Sequence, residues 1–353
     1  MNPRAAWALA LVGATALAGP ASRPARAQGT PSPTAPAAFY DARAPMALTL
    51  TADFASLRRD RQDDPPWRAA TVGFTDSAGA PVTLPARVRA RGLWRRRNCE
   101  MPPLRLDFAR SVVAPTPLAG VNRPKLVQFC QDARRPEQYV LSEFQLYRIY
   151  ALLTPVSHKA RLLRVTYVDS SSRKVRTTRH AFLLEEPQAL ARRLGGRELD
   201  IKGSVSDDLD ERTRVVMGVF QYMIGNTDWS SSGLHNVELF AIGAVIYPVA
   251  YDFDHSGAVD AHYALPPPQL PIRTVRQRLF RGACGADTTF TEVFEHFRAN
   301  REAIYALYSD EVGRLMDPGV VRRTLRYFDE FYAILDDPRT ARREILDRCA
   351  ASQ

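Results

Sequence analysis

A change of hydrophobic period constrains this chain more than any other feature. Between residues 46 and 130, "MALTLTADF", "TLPARVRARGLW", "PPLRLDF" and "PKLVQFC" alternate apolar and polar residues and are bounded by Pro, Gly, Asn and Asp, as half-buried strands are. At "RPEQYVLSEFQLYRIYALL" the period shifts to that of a helix. Val140, Phe144, Tyr147 and Ala151 recur at three-to-four spacing, and Pro136 is placed for a first helical turn. "RLLRVTYVDS" and "RTTRHAFLLEE" then predict a hairpin.

From Glu186 the texture is helical. "EPQALARRLGG" predicts a short helix stopped by glycine, and "DLDERTRVVMGVFQYMIGN" a buried helix with an acidic first turn and a Gly-Asn stop. A short hairpin, "VELFAIGAVIYPVA", interrupts the helical half, and "TFTEVFEHFRANREAIYALYSDEVGRLM" and "PGVVRRTLRYFDEFYAILDD" resume it. The order predicts an α+β protein of two lobes, a sheet-rich part over residues 46–186 and a helical part over 187–353, with a ligand cleft between them.

The first 27 residues have a secretory leader's form: Arg4, the apolar "AAWALALVGATALAG", and a small-x-small site at Ala25-Arg26-Ala27. Residues 28–45, rich in Pro, Ala, Thr and Ser, predict a flexible tether. No later run approaches the ~20 apolar residues of a membrane helix, so a periplasmic or secreted protein without a transmembrane segment is expected. The formal charge is +10, and loss of the leader with Arg4, Arg23 and Arg26 leaves +7. No zinc-finger, basic-zipper or RNA-binding signature accompanies that charge, so attraction to anionic envelope surfaces is favoured over nucleic acid. The dense basic run "RARGLWRRRN" is expected to be a solvated hairpin, with phosphate binding as the alternative. Cys99, Cys130, Cys284 and Cys349 are not spaced as zinc ligands, and pairing within each half of the chain predicts Cys99–Cys130 and Cys284–Cys349 disulfides.

Two acidic phrases carry the candidate chemistry. Asp228 lies in "TDWSSSGLHN", which Asn236 ends, and the following hairpin delivers the chain to Asp252 and Asp254 in "YDFDHSG". Side by side, these loops have the residue types of metal-assisted phosphoryl transfer: a carboxylate for the hydroxyl proton, and a carboxylate and an amide for magnesium. Lys125 on a strand and Glu143 on the next helix supply the ion pair that positions nucleotide phosphates.

Together "RARGLWRRRNCEMPPLRLDF", "PKLVQFCQD…SEFQLYRIYALL", "FQYMIGNTDWSSSGLHN" and "PVAYDFDHSG" resemble the spore-coat CotH-like kinases and the wider atypical kinase-like group that includes HipA. They are closer still to a set of exported bacterial proteins with the same "YMIGNTDWS…LHN" and "YDFDHSG" phrases. The resemblance runs over roughly residues 80–260 and implies a two-lobed kinase-like fold, ATP with Mg or Mn, and phosphorylation of protein hydroxyls. By position it implies Asp228 as the catalytic aspartate, Asn236 and Asp252 as metal ligands with Asp254 as a second ligand, and Lys125 with Glu143 as the ion pair. It also places Arg89, Arg91 and Gly92 against phosphate. Three departures stand out: Asn236 follows Asp228 by eight residues instead of five, no glycine-rich loop is present, and "EMPPL" replaces a lysine-bearing phrase. A catalytically silent binding or scaffolding protein is therefore the alternative.

Other readings stay open. Asp252 to Asp260 matches much of a calcium loop, but Tyr263 stands where a bidentate Glu belongs, and a plain acidic turn is also compatible. Glu185 and Glu186 fit either a hinge or a strand end. His235, His255 and His262 fit loop hydrogen bonding better than zinc, and Trp229 fits packing under its loop. No hydrolase motif is present.

Overall fold

The computed structural model describes residues 39–92 and 94–349, so the leader and residues 28–38 of the expected tether lie outside the described residues. Residues 39–45 are not a free tether. Phe39 and Tyr40 are buried, Lys159 pairs with Asp41, and Arg161 donates to the carbonyls of Ala42 and Ala44.

Seven strands form one closed barrel: β1 (Met46–Ala52), β2 (Arg68–Thr75), β3 (Pro81–Ala90), β4 (Leu104–Asp107), β5 (Lys125–Val127), β6 (Ala160–Asp169) and β7 (Val175–Leu184), in the order β1-β2-β3-β4-β5-β7-β6. Neighbours pair antiparallel except at the seam, where β1 runs parallel to β6 from Met46 opposite Leu163 to Ala52 opposite Asp169. Leu48, Leu50 and Ala52 are the buried members of the alternation expected on β1, and Ala70, Val72 and Phe74 alternate in the same way on β2, a strand beyond those expected. The dense basic run is not a solvated hairpin. Past Arg91 it winds into a short helix, α1 (Trp94–Asn98), with Arg96 buried and bound to the carbonyl and carboxylate of Asp63.

The long helix expected around Pro136 is α2 (Arg134–Leu153), packed against β7 and β6. A second sheet, in the order β10-β9-β8, comprises β8 (Arg197–Leu199), β9 (Val237–Ile242) and β10 (Val245–Ala250). Before β9 comes α3 (Glu211–Ile224), buried almost all round, with Asp210 accepting the Thr213 N–H at 2.8 Å as its cap. Its stop is Gly225 at φ +68°, where a Cβ would lie 2.0 Å from the Tyr327 hydroxyl oxygen. Helices α4 (Asp287–Ala299) and α5 (Pro318–Asp336) complete the helical half. Disulfides join Cys99 to Cys130 and Cys284 to Cys349, and no helix among the described residues is long and apolar enough to cross a membrane.

The protein is thus mixed α+β, but the two-lobed kinase-like arrangement is not what forms. The β1–β6 seam closes the sheet into a barrel, and one apolar cluster runs from Phe39 to Ile345. Two segments far apart in sequence make that seam, and local hydrophobic alternation carries no information about which strand is the neighbour of which. Leu50 sits at the seam, fully buried. Leu50→Ala is expected to cost about 2–5 kcal/mol in chemical denaturation, as large-to-small changes in well-packed cores do.

Candidate functional site

Antiparallel pairing of β9 with β10, in which Val237 opposes Ala250, returns the chain beside the end of the Asp228 loop. The Tyr251 N–H then donates to the Asn236 carbonyl at 3.0 Å, so the two acidic phrases are neighbours, as the hairpin predicted. Asn236 takes a left-handed φ of +54°, which Asn tolerates better than most residues. Its amide donates to the Asp228 carbonyl at 2.7 Å and to the Asp228 carboxylate at 3.3 Å. His235 Nε2 lies 2.9 Å from the other carboxylate oxygen, and Asp228 keeps part of its side chain in solvent.

The opening of "YDFDHSG" is fixed by the aromatic core under it. Phe253 is buried against Tyr147 at 4.8 Å and Phe220 at 5.3 Å between ring centroids, which turns Asp252 and Asp254 away from that core. Asp252 adopts φ +62° while its N–H donates to the Tyr147 hydroxyl at 2.8 Å. Gly257 closes the phrase because a Cβ there would stand 2.4 Å from the Val275 carbonyl oxygen.

Arg95, whose side chain is 12% exposed, binds both aspartates: its guanidinium is 3.5 Å from Asp252 and 3.4 Å from Asp254. The Tyr263 hydroxyl donates to Asp254 at 3.0 Å. Glu143 is 2% exposed, with one carboxylate oxygen buried and unpartnered. Burial, with Asp254 and Asp252 adding to it, pushes the Glu143 carboxyl well above the usual carboxylate range. Burial likewise raises Asp254, whereas at Asp252 the nearby Arg95, Arg91 and Lys125 overcome burial and hold the carboxyl down. Among these three carboxyls the surroundings favour the charged form at Asp252, and burial disfavours it most at Glu143.

The expected Lys125–Glu143 pair is not formed. Lys125 lies 3.4 Å from Glu238 on β9 and 3.9 Å from the centre of the Tyr251 ring. Glu238 also meets His158 at 2.9 Å, and His158 is held from its other nitrogen by the Glu185 carbonyl at 3.0 Å. Burial opposes the Glu238 charge, but His158 and Lys125 outweigh it and hold the carboxyl down at about 2. Burial lowers Lys125 against the pull of Glu238.

A cavity of about 1010 Å³ opens over these groups, with Arg89, Arg91, Arg105, Arg123, Lys125 and Asp252 in its lining. Arg91 has a buried Nε without a partner, and Arg89 stacks over Trp67 at 4.7 Å while reaching the exposed Asp64 at 2.9 Å. The structure thus brings Arg89, Arg91, Lys125 and Asp252 to one cavity, sets Asp254 and Glu143 around Arg95, and leaves Asp228 and Asn236 as a neighbouring cluster. Arg95, Arg105, His158 and Glu238 complete the site without having stood out in the sequence. Arg95 belongs to a conspicuous basic run, but nothing in that run distinguishes a buried arginine from an exposed one.

The groups as placed do not fit a metal ion. Among the described residues no three of His, Cys, Asp and Glu form a cation-holding group. The Arg95 guanidinium already pairs with Asp252 and Asp254. The calcium-loop position at Tyr263 is occupied by a hydrogen-bond donor to Asp254. His255 and His262 pack beside Tyr263, and Trp229 is buried under its loop. Glu185 is bound by Arg193 at 2.9 and 2.8 Å, and Glu186 accepts the Asn122 N–H at 2.7 Å. No protein-family model matches the chain, and no curated protein matches it at a significant level.

Arg95→Ala would leave the buried Asp254 and the half-buried Asp252 without their shared cation, and a loss of about 3–5 kcal/mol is expected in denaturant unfolding. Glu143→Gln removes a carboxyl whose charged form burial already disfavours and is expected to cost under about 1 kcal/mol by the same measurement. Glu238 has a depressed folded pKa, so its stabilisation is full above its unfolded value near 4.5 and is lost as pH falls toward about 2. The stability gap between the wild type and Glu238→Gln should narrow over that window in acid titration of the unfolding midpoint.

Proposed function

We propose that this protein binds a phosphate-bearing small molecule of nucleotide size in the arginine-lined cavity, as an exported binding protein of the cell envelope. The observation that carries this reading is the meeting of Arg91, Arg105, Arg123 and Lys125 in one cavity of about 1010 Å³, with the Arg91 Nε buried and unpartnered. Guanidinium groups present forked donors that match phosphate oxygens, and a cation left without a full set of partners gains most when an anion arrives. Two disulfides are compatible with an oxidising compartment, and the leader-like first 27 residues support the periplasm or the exterior.

A second reading, phosphoryl transfer from ATP to a hydroxyl of a protein or smaller acceptor, is favoured by the Asp228 carboxylate. His235 and Asn236 fix its orientation while leaving it partly open to solvent, as a general base requires. The acceptor oxygen would bond to the γ-phosphorus, its proton would pass to Asp228, and ADP would leave with the electrons of the broken bond. Mg or Mn would accompany the nucleotide. The metal-ligand roles of Asp252, Asp254 and Asn236 enter this reading only with Arg95 swung away from both aspartates.

Calorimetry with ATP, in the presence and absence of Mg or Mn, tests the binding reading. Lys125→Ala and Arg91→Ala are each expected to weaken binding tenfold or more, and unchanged affinity in both overturns the assignment. Labelled ATP tests transfer. Label should reach the protein or an added acceptor in the wild type and be lost in Asp228→Asn, while binding without any labelling leaves the envelope binding protein as the function.

A further inference from the structure

A second cavity, of about 340 Å³, shares no lining residue with the first. It lies where the first turns of α2 and α5 meet the chain at Ala258 to Asp260. Its polar lining includes Arg134, Arg135, Arg276 and Arg323. Among the described residues Arg134, Arg135 and Arg323 have neither a carboxylate partner within 4.0 Å nor a side-chain hydrogen bond. Arg276 is fixed, stacked 4.0 Å over Tyr327 and donating to the Gly257 carbonyl at 3.0 Å.

The charges are placed against their own helix. Arg134 and Arg135 occupy the first turn of a 20-residue helix, where the helix dipole disfavours cations, and Ala133 offers no side-chain cap. Two turns deeper, Ser142 is 3% exposed, lines the cavity, and has a hydroxyl with no hydrogen-bond partner. An unpaired hydroxyl at that depth costs stability unless something binds it. Asp260 and Asp317 also face the cavity, and Asp317 is spent capping the Gly319 N–H at 2.7 Å. Four arginines against two aspartates leave the cavity positive. Ala258, Val259, Val320 and Tyr139 give the wall an apolar and aromatic part, and Gln138 and Thr324 are its remaining polar members.

We infer that this cavity is a binding site for a small organic acid, with its carboxylate toward Arg134, Arg135 and Arg323 and a compact apolar body against Val259 and Val320. A carboxylate there satisfies the unpaired guanidinium groups, and the volume suits a single ring. The assignment is independent of the phosphate reading of the first cavity, because the two sites have no residue in common.

The test is calorimetry on the intact, oxidised protein with benzoate, benzyl alcohol and inorganic phosphate. Benzoate should bind, benzyl alcohol should not, and phosphate should bind at least tenfold more weakly than benzoate. Arg134→Ala and Arg323→Ala, both at exposed side chains that the fold does not need, should each weaken benzoate about tenfold, while Lys125→Ala leaves it unchanged. Ser142→Ala should weaken it severalfold without lowering the unfolding temperature. Absence of benzoate binding at millimolar concentration, equal binding of the alcohol, or loss in Lys125→Ala in place of Arg323→Ala overturns the proposal. Phosphate binding as tight as benzoate that is lost in Arg323→Ala and kept in Lys125→Ala would make this a site for free phosphate and overturn the organic-acid assignment.

Discussion

Arg95 cannot stay buried without Asp252 and Asp254, and Asp254 cannot stay buried without Arg95. The guanidinium arrives on α1, just beyond the end of β3, and the carboxylates arrive just beyond β10. One charge cluster therefore locks the rim of the barrel to the loop of the second sheet. Around this lock the other choices follow. Glu143 becomes the acid because a third carboxylate charge has too little cation to meet it, and the Tyr147 hydroxyl accepts the Asp252 N–H that the left-handed turn exposes.

Lys125 is released from Glu143 for the same reason and finds its counter-charge on β9. The result is a division of labour among cations. Arg95 is consumed in structure, Lys125 is shared between Glu238 and the Tyr251 ring, and Arg91 retains unspent donor capacity at the cavity wall. A site of this kind favours ligands that bring their own negative charge, because Asp107, Glu238 and Asp252 in its lining are already matched by cations and Arg91 is not.

Local elements were legible in the sequence. The β6–β7 hairpin, the helix around Pro136, the Gly225 stop and the β9–β10 hairpin stand where periodicity and capping put them, since each is specified by residues within one or two turns of one another. The strand "RAATVGFT" is hard to read from the sequence although Ala70, Val72 and Phe74 alternate within it, because turn residues on both sides dilute the signal. What failed was pairing over distance. Barrel closure depends on β1 meeting β6, and the partner of Lys125 lies 113 residues downstream on a strand whose one acidic residue looks like any solvent-facing Glu. The acidic loops were found because both ends of a hairpin are local. Arg95 was missed because burial of a basic run is decided by what packs over it.

The parallel seam has a consequence for how the molecule assembles. β1, β2 and β3 are consecutive strands and can pair as soon as they exist, yet the free edge of β1 stays open until Ala160–Asp169 has been made and has threaded back alongside it. Closing that edge ties up more than a hundred residues of intervening chain, so the ordering entropy falls due before the contacts that repay it. Such a barrel ripens late. During synthesis, a three-stranded meander with one bare edge is the species that must be kept from pairing with a neighbour.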